Sequence, residues 1–158
     1  MPAIEFNGME VRPVSDLLSI DDEFVSVLIE MPNGTDPMPL AHELGQCFEG
    51  RLHVTTSGGR YVEINHPSGT KLHAMTELAR IRTLRVDQIM AIGDNRNDLG
   101  MIRGAGVGVA VANAPSDVRA VARFCCTLPS AEGVVEALRL LNRSVRTARV
   151  RHWAQTTA

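Results

Sequence analysis

Asp94, Asn97 and Asp98 lie in the run Gly93-Asp94-Asn95-Arg96-Asn97-Asp98, directly after the apolar stretch 89–92. Two carboxylates four residues apart at the end of a strand read in two ways. At a helix mouth they are favoured by the helix dipole and serve as caps. They are equally the donors of a hard-cation site, since Mg²⁺ takes one or two carboxylates and completes its shell with water and substrate phosphate. Lys71 gives weight to the second reading. It stands at the start of a helix, where a lysine is poorly matched to the dipole. The same place suits an anion, which both the helix N-terminus and the ammonium attract. Lys71 is also the only lysine, the other fifteen basic residues being arginines.

The elements that would position these groups can be read from periodicity. Residues 24–31 are rich in branched side chains and end at the turn signal Pro32-Asn33-Gly34, which predicts a strand. Leu40, Leu44 and Phe48 recur at helical spacing and predict a helix over 39–48. Two strands, 51–56 and 60–65, follow, joined through Ser57-Gly58-Gly59. The first 65 residues therefore read as a small β-α-β-β layer. Beyond His66-Pro67-Ser68-Gly69 the chain alternates helix and strand. The readings are a helix over 70–82, a strand over 89–92, a helix after Asp98 and a strand over 107–111. A helix over 115–123, capped at Asn113 or Ala114, follows with a strand over 124–128. The last helix starts at Ser130, its apolar face Val134, Leu138, Leu141 and Val145. Such alternation implies a parallel sheet covered by helices. Residues 1–20 show little pattern.

Composition narrows the function classes. A chain of 158 residues fits one domain, or one domain and part of another. A net charge of −2 argues against a dedicated nucleic-acid binder. Neither a membrane-spanning run nor a signal-peptide pattern is present, so the expectation is a cytoplasmic protein without a membrane role. Cys47, Cys125 and Cys126 suit neither a disulfide framework nor a zinc site; the last two read as core thiols. Gly104, Gly106 and Gly108 follow a helix and open a strand, the reverse of a dinucleotide fingerprint. They read as sites of close helix-to-strand packing. The arginines at 139, 143, 146, 149 and 151 read as a solvated helix face running into a frayed end.

Three stretches together resemble a known family. They are 64–71, ending in Pro67-Ser68-Gly69-Thr70-Lys71; 89–98, with its Gly-Asp-x-x-Asn-Asp; and 101–114, with Gly-x-Gly-Val-Ala-Val-Ala-Asn-Ala. The pattern is similar to the haloacid dehalogenase-like hydrolases, and within them to Cof-type phosphatases that carry a large cap. The resemblance covers about 61–141, with 24–65 a weaker match to the second half of the cap. It implies an α/β fold, a Rossmann-like parallel sheet (part of the core) with a partial α+β cap. Residues 1–65 would be the partial cap, 66–145 the C-terminal part of the core and 146–158 an Arg-rich tail.

By this resemblance Asp94 and Lys71 would be the catalytic residues present. Asp94 would ligate Mg²⁺ directly, and Asp98 would act from behind or through water. Asn97 would orient the substrate phosphate while Lys71 neutralises its oxygens. The implied activity is Mg²⁺-dependent hydrolysis of a small phosphorylated metabolite such as a sugar phosphate. The family's nucleophile belongs in an Asp-x-Asp-Gly-Thr motif, which this sequence lacks; Asp21-Asp22-Glu23 is the nearest acidic cluster. The expectation is thus a chain that begins inside the cap, holds half a catalytic site and is inactive alone. A non-catalytic remnant that binds phosphate or a partner is the alternative. A sheet lacking its first strand would expose an edge, so a homo-oligomer, a complementing chain or rearranged N-terminal residues are expected to cover it.

Overall fold

The structure, a computed structural model, describes residues 4–6, 9–11, 13–21 and 23–156, with side-chain surroundings for 13–21 and 23–145. β1 (Ile4–Phe6) and β2 (Met9–Val11) form an antiparallel hairpin of their own, in a stretch whose sequence showed no strand signal. β3 (Ser26–Glu30), β4 (His53–Ser57) and β5 (Tyr61–Asn65) build a second antiparallel sheet in the order β3-β5-β4. Its helix, α1 (Met38–Cys47), packs on β4 and β5. The β4–β5 turn needs two consecutive left-handed residues, supplied by Gly58 at φ +57° and Gly59 at φ +71°. Val62 of β5 is fully buried.

The second layer system is parallel. α2 (Lys71–Ile81) starts at Thr70, whose hydroxyl accepts from His73 N–H at 3.1 Å. β6 (Met90–Gly93), β7 (Val107–Ala110) and β8 (Phe124–Cys125) pair in parallel in that order. α3 (Leu99–Gly104) and α4 (Ser116–Val121) make the crossovers, and α5 (Ser130–Thr156) closes the described chain. Alternation along β7 divides the core. Ala110 faces Ile102, Ala114 and Val118 on one side, while Val109 packs with Val111, Cys126 and Ala137 on the other. An α/β fold with a partial parallel sheet is therefore what the sequence forms.

The glycine run does what close packing requires. A Cβ on Gly106 would stand 2.0 Å from the Asp87 carbonyl oxygen, and one on Gly108 would stand 2.0 Å from that of Ile102. Three expectations need correction. The strand expected over 124–128 ends at Cys125, because the N–H groups of Thr127 and Leu128 donate to the Glu136 carboxylate instead of to a ladder. Asn113 does not cap α4; its side-chain oxygen accepts from Ser130 N–H at 2.7 Å, and Pro115 occupies the cap position. The apolar face of α5 is not covered. Val134, Leu138, Leu141 and Val145 are 37–50% exposed, and α5 is anchored through buried Ala137.

Among the described residues β6 pairs only with β7, and the N-terminal hairpin does not reach its outer edge. The helix backbone of α5 runs on to Thr156; the side chains of the Arg-rich stretch beyond Val145 and of Trp153 lie outside the described surroundings. Cys126 is buried and Cys47 exposed, with Cys125 between the two. Burial first, with help from Glu136, pushes the Cys126 thiol above its ordinary range. No described helix is long and apolar enough to cross a membrane.

Candidate phosphate and metal site

The C-terminal end of a parallel strand, where the chain turns towards a helix, is the usual place for a ligand in an open α/β sheet. β6 ends there at Gly93, and a tight turn brings the Asp98 side chain back across the strand end. The approach demands glycine: a Cβ at Gly93 would lie 2.5 Å from the Asp98 Cβ. Asp98 Oδ2 accepts from Asp94 N–H at 3.1 Å and Asn95 N–H at 3.0 Å. Its other oxygen is ion-paired with Lys71 Nζ. Asp98 is thus buried, 4% exposed, with both oxygens engaged. The same Lys71 Nζ donates to Asn97 Oδ1 at 3.3 Å, so residues 26 and 27 positions apart meet at one ammonium.

Asp94 differs from Asp98 in its surroundings. Among the described residues no group donates to its carboxylate, which lines a pocket of about 320 Å³ with Lys71, Gly93, Asp98, Ser130 and Val134. Among the described residues two of the three N–H donors of Lys71 are engaged, by Asn97 and Asp98, and the third has no protein partner. The pocket therefore offers an unengaged carboxylate beside a fixed cation, with Asp98 holding the turn from behind. No cluster of three or more ligating side chains exists among the described residues. The donor set fits a Mg²⁺ ion completed by water and phosphate oxygens, not a closed protein cage.

A second, larger hollow of about 520 Å³ opens between the antiparallel sheet with its helix and Arg96 of the turn. Arg96, two residues after Asp94, lines it together with His42, Gln46 and Glu49 of the α1 region and Thr55 of β4. Arg96 Nε donates to Asp117 Oδ2 at 2.7 Å, across from α4. Burial raises the Asp117 carboxyl pKa, but the Arg96 guanidinium outweighs it and holds the group below its ordinary range. Gly45 borders this hollow from inside α1, where a glycine costs about 0.5–1 kcal/mol relative to alanine. A Cβ added there would meet nothing within 4 Å.

The sequence does not single out these residues beside the antiparallel sheet. His42 and Gln46 stand at i, i+4 on one helix face, a signal that could have been used; their ring and amide nitrogens are 3.0 Å apart. The Arg96–Asp117 pair is 21 positions apart and has no such signature.

With this geometry, the chain matches a family model described as haloacid dehalogenase-like hydrolase over residues 5–138. It is 42% identical over 72 residues to a phosphoglycolate phosphatase of Methanospirillum hungatei, covering 46% of this chain and 30% of that protein. It is 32% identical over 88 residues to a 5-amino-6-(5-phospho-D-ribitylamino)uracil phosphatase of Bacillus subtilis, covering 56% of this chain and 35% of that one. A solved haloacid dehalogenase-like hydrolase from Bacteroides thetaiotaomicron superposes with a TM-score of 0.62 at 30% identity, over 84% of this chain and 50% of that chain. The chain spans about a third of the length of the two curated relatives.

Proposed function

Because the chain belongs to the haloacid dehalogenase-like hydrolases, we propose that Lys71, Asp94, Asn97 and Asp98 form the phosphate- and Mg²⁺-holding wall of a phosphatase site. Its substrate would be a small phosphorylated metabolite, a sugar phosphate or similar compound. One observation carries the reading: Lys71 is clamped between Asn97 and buried Asp98, beside the unengaged carboxylate of Asp94. Phosphoryl transfer asks a protein mainly for positioning and charge stabilisation. Lys71 neutralises phosphoryl oxygens, and Asn97 has its amide N–H groups left to donate to them. Asp94, with Asp98 behind it, would hold Mg²⁺, which when bound supplies further positive charge to the phosphate. Asp98 keeps the Asp94 and Asn95 backbone in place.

The sequence holds no Asp-x-Asp-Gly-Thr nucleophile motif, so we infer that the 158-residue chain alone turns over little or nothing. A second copy or a complementing chain would then be needed for hydrolysis. The alternative, a non-catalytic phosphate- or partner-binding module, draws on the same wall. It is favoured by the fact that the only carboxylates described in the pocket are Asp94 and the saturated Asp98. Amide NMR titration tests the wall itself. Mg²⁺ and inorganic phosphate should shift the amides of 93–98. Asp94→Asn should weaken Mg²⁺, and Lys71→Met phosphate, each by about tenfold or more, roughly the worth of one charged contact. Unmoved amides would refute the site. Robust hydrolysis of p-nitrophenyl phosphate by the chain alone, abolished by Asp94→Ala, would refute the inferred inactivity.

A further inference from the structure

We propose that the free edge of β3 is an interface at which two copies of this chain join their small sheets, strand to strand, about a two-fold axis through Leu28. The contact is independent of the phosphate site and goes beyond it. The hydrogen-bond pattern defines the edge. Met31 N–H donates to the carbonyl of the opposite Arg60 at 2.8 Å, and the register sets Ile29 against Val62 and Val27 against Ile64. Hydrogen-bonded pairs alternate along an antiparallel ladder, so these odd-numbered residues bond to β5. The N–H and C=O groups of Ser26, Leu28 and Glu30 therefore point the other way, where no described strand receives them. The opposite edge of the sheet is covered, since β4 packs against the turn 96–98.

Soluble proteins blunt an open edge with lysine, proline or a bulge. β3 has none of these: its register on β5 is unbroken from Ser26 to Glu30, and its one charge, Glu30, is already paired with Arg60 at 2.9 Å. Phe24, Val25, Val27 and Leu28 along this edge are 44–93% exposed. The strand, Ser-Val-Leu-Ile-Glu, is complementary to itself. In a two-fold antiparallel pairing centred on Leu28, that residue bonds to its own copy and Ser26 exchanges bonds with Glu30. Val27 then lies beside Ile29 of the second copy, and Val25 beside Met31. Val27 and Ile29 share the face that α1 covers: the Thr56 hydroxyl donates to the Met38 sulfur of α1, and Val62 stands between Thr56 and Ile29 across the sheet. An axis normal to the sheet keeps both helices on that face, so two three-stranded sheets become one of six with a continuous apolar layer. The neighbouring registers fail. A centre on Glu30 sets two carboxylates against each other and puts Pro32, which has no N–H, opposite Leu28. A centre on Ser26 carries Glu30 past the end of the partner strand. Only the Leu28 register satisfies every outward group of β3. A two-fold contact also closes on itself, which gives a dimer and not a filament.

Sedimentation equilibrium of the full chain tests this. One short strand pair stands at the small end of stable interfaces, so the expected Kd is on the order of 10 µM. Well above that concentration the mass should be twice the 17.2 kDa of the chain. Leu28→Pro should give a monomer that is still folded by circular dichroism, because the N–H it removes is one that β5 does not use, and edge strands tolerate such a proline. Leu28→Lys should weaken the dimer by about tenfold or more, since the axis sets two ammonium groups side by side; it serves if proline unfolds the strand. Amide hydrogen exchange read by NMR locates the contact. Raising the concentration should slow exchange at Ser26, Leu28 and Glu30, while Val27, Ile29 and Met31 are protected throughout. A chain that stays monomeric well above the expected Kd would overturn the proposal, as would a dimer that both variants leave intact. Assemblies that keep growing with concentration, or a dimer in which Ser26, Leu28 and Glu30 exchange freely, would overturn it too.

Discussion

Replacing Asp98 by asparagine changes one atom and should cost far more than its size suggests. The side chain is buried and receives three donors: two backbone N–H groups on Oδ2 and Lys71 Nζ on Oδ1. An asparagine oxygen can keep the two backbone bonds. Its amide nitrogen then faces the Lys71 ammonium, donor against donor. Charge-assisted hydrogen bonds contribute about 1.5–3 kcal/mol, and breaking a fully buried ion pair costs about 3–5 kcal/mol. The Lys71 side chain is 49% exposed, so water screens part of the loss. The expected destabilisation is about 2–3 kcal/mol for Asp98→Asn and about 1–2 kcal/mol for Lys71→Met, whose orphaned carboxylate keeps its two backbone donors. The double variant removes the donor clash and should cost less than the two single changes added together, by about 1 kcal/mol. Urea unfolding followed by circular dichroism reads these values from the midpoint at constant slope. An Asp98→Asn protein within 0.5 kcal/mol of wild type, on the order of a neutral surface change, would refute the clamp.

Gly108→Ala should destabilise by about 3 kcal/mol, because its Cβ meets the Ile102 carbonyl, a backbone obstacle that cannot rotate away. Gly45→Ala, with open space around it, should instead be neutral or stabilising by up to about 1 kcal/mol, and equal thermal midpoints for the two would contradict this contrast. Acid sensitivity should come in part from Glu136, whose carboxyl is held below its ordinary 4.5 first by the Thr127 N–H, then by that of Leu128 and the Thr127 hydroxyl, against burial. A lowered folded-state pKa contributes stability present above the unfolded value and lost as pH falls through the folded one. The thermal midpoint should therefore fall below pH 4.5, and Glu136→Gln should flatten that limb; parallel curves would count against it.

Elements whose pattern is local were legible in the sequence. The periodicity of Leu72, Met75, Leu78 and Ala79 located α2 to within a residue at each end, although Leu78 of that face is 55% exposed, and Gly58-Gly59 placed the hairpin because two left-handed residues allow little else. Long-range partners were not legible. Asn113 looked like a cap for the helix next to it, but a residue 17 positions away claims its oxygen. Thr127 and Leu128 read as strand until Glu136, nine and eight positions on, took their N–H groups. The acids and the lysine could be named from residue type alone. That Asp98 is saturated while Asp94 is open follows from the fold back over Gly93, which spacing does not encode.

Between Asn65 and Lys71 the chain crosses from the antiparallel sheet to the parallel one through five residues, 66–70, the one covalent link described between β5 and α2. That link is knotted into a compact turn, with Gly69 N–H on the His66 carbonyl at 2.7 Å and Ser68 N–H on the His66 ring at 3.1 Å. Lys71 is the first residue past the pivot and travels with the core. A swing of the small sheet about this pivot would shear β4 and α1 past Arg96 while the ammonium stays locked to Asp98. Hinge motions of this kind run on microsecond-to-millisecond timescales. The contacts of β4 with the turn 96–98 would have to slide in such a swing, whereas the Lys71–Asp98 pair lies wholly on the core side of the pivot.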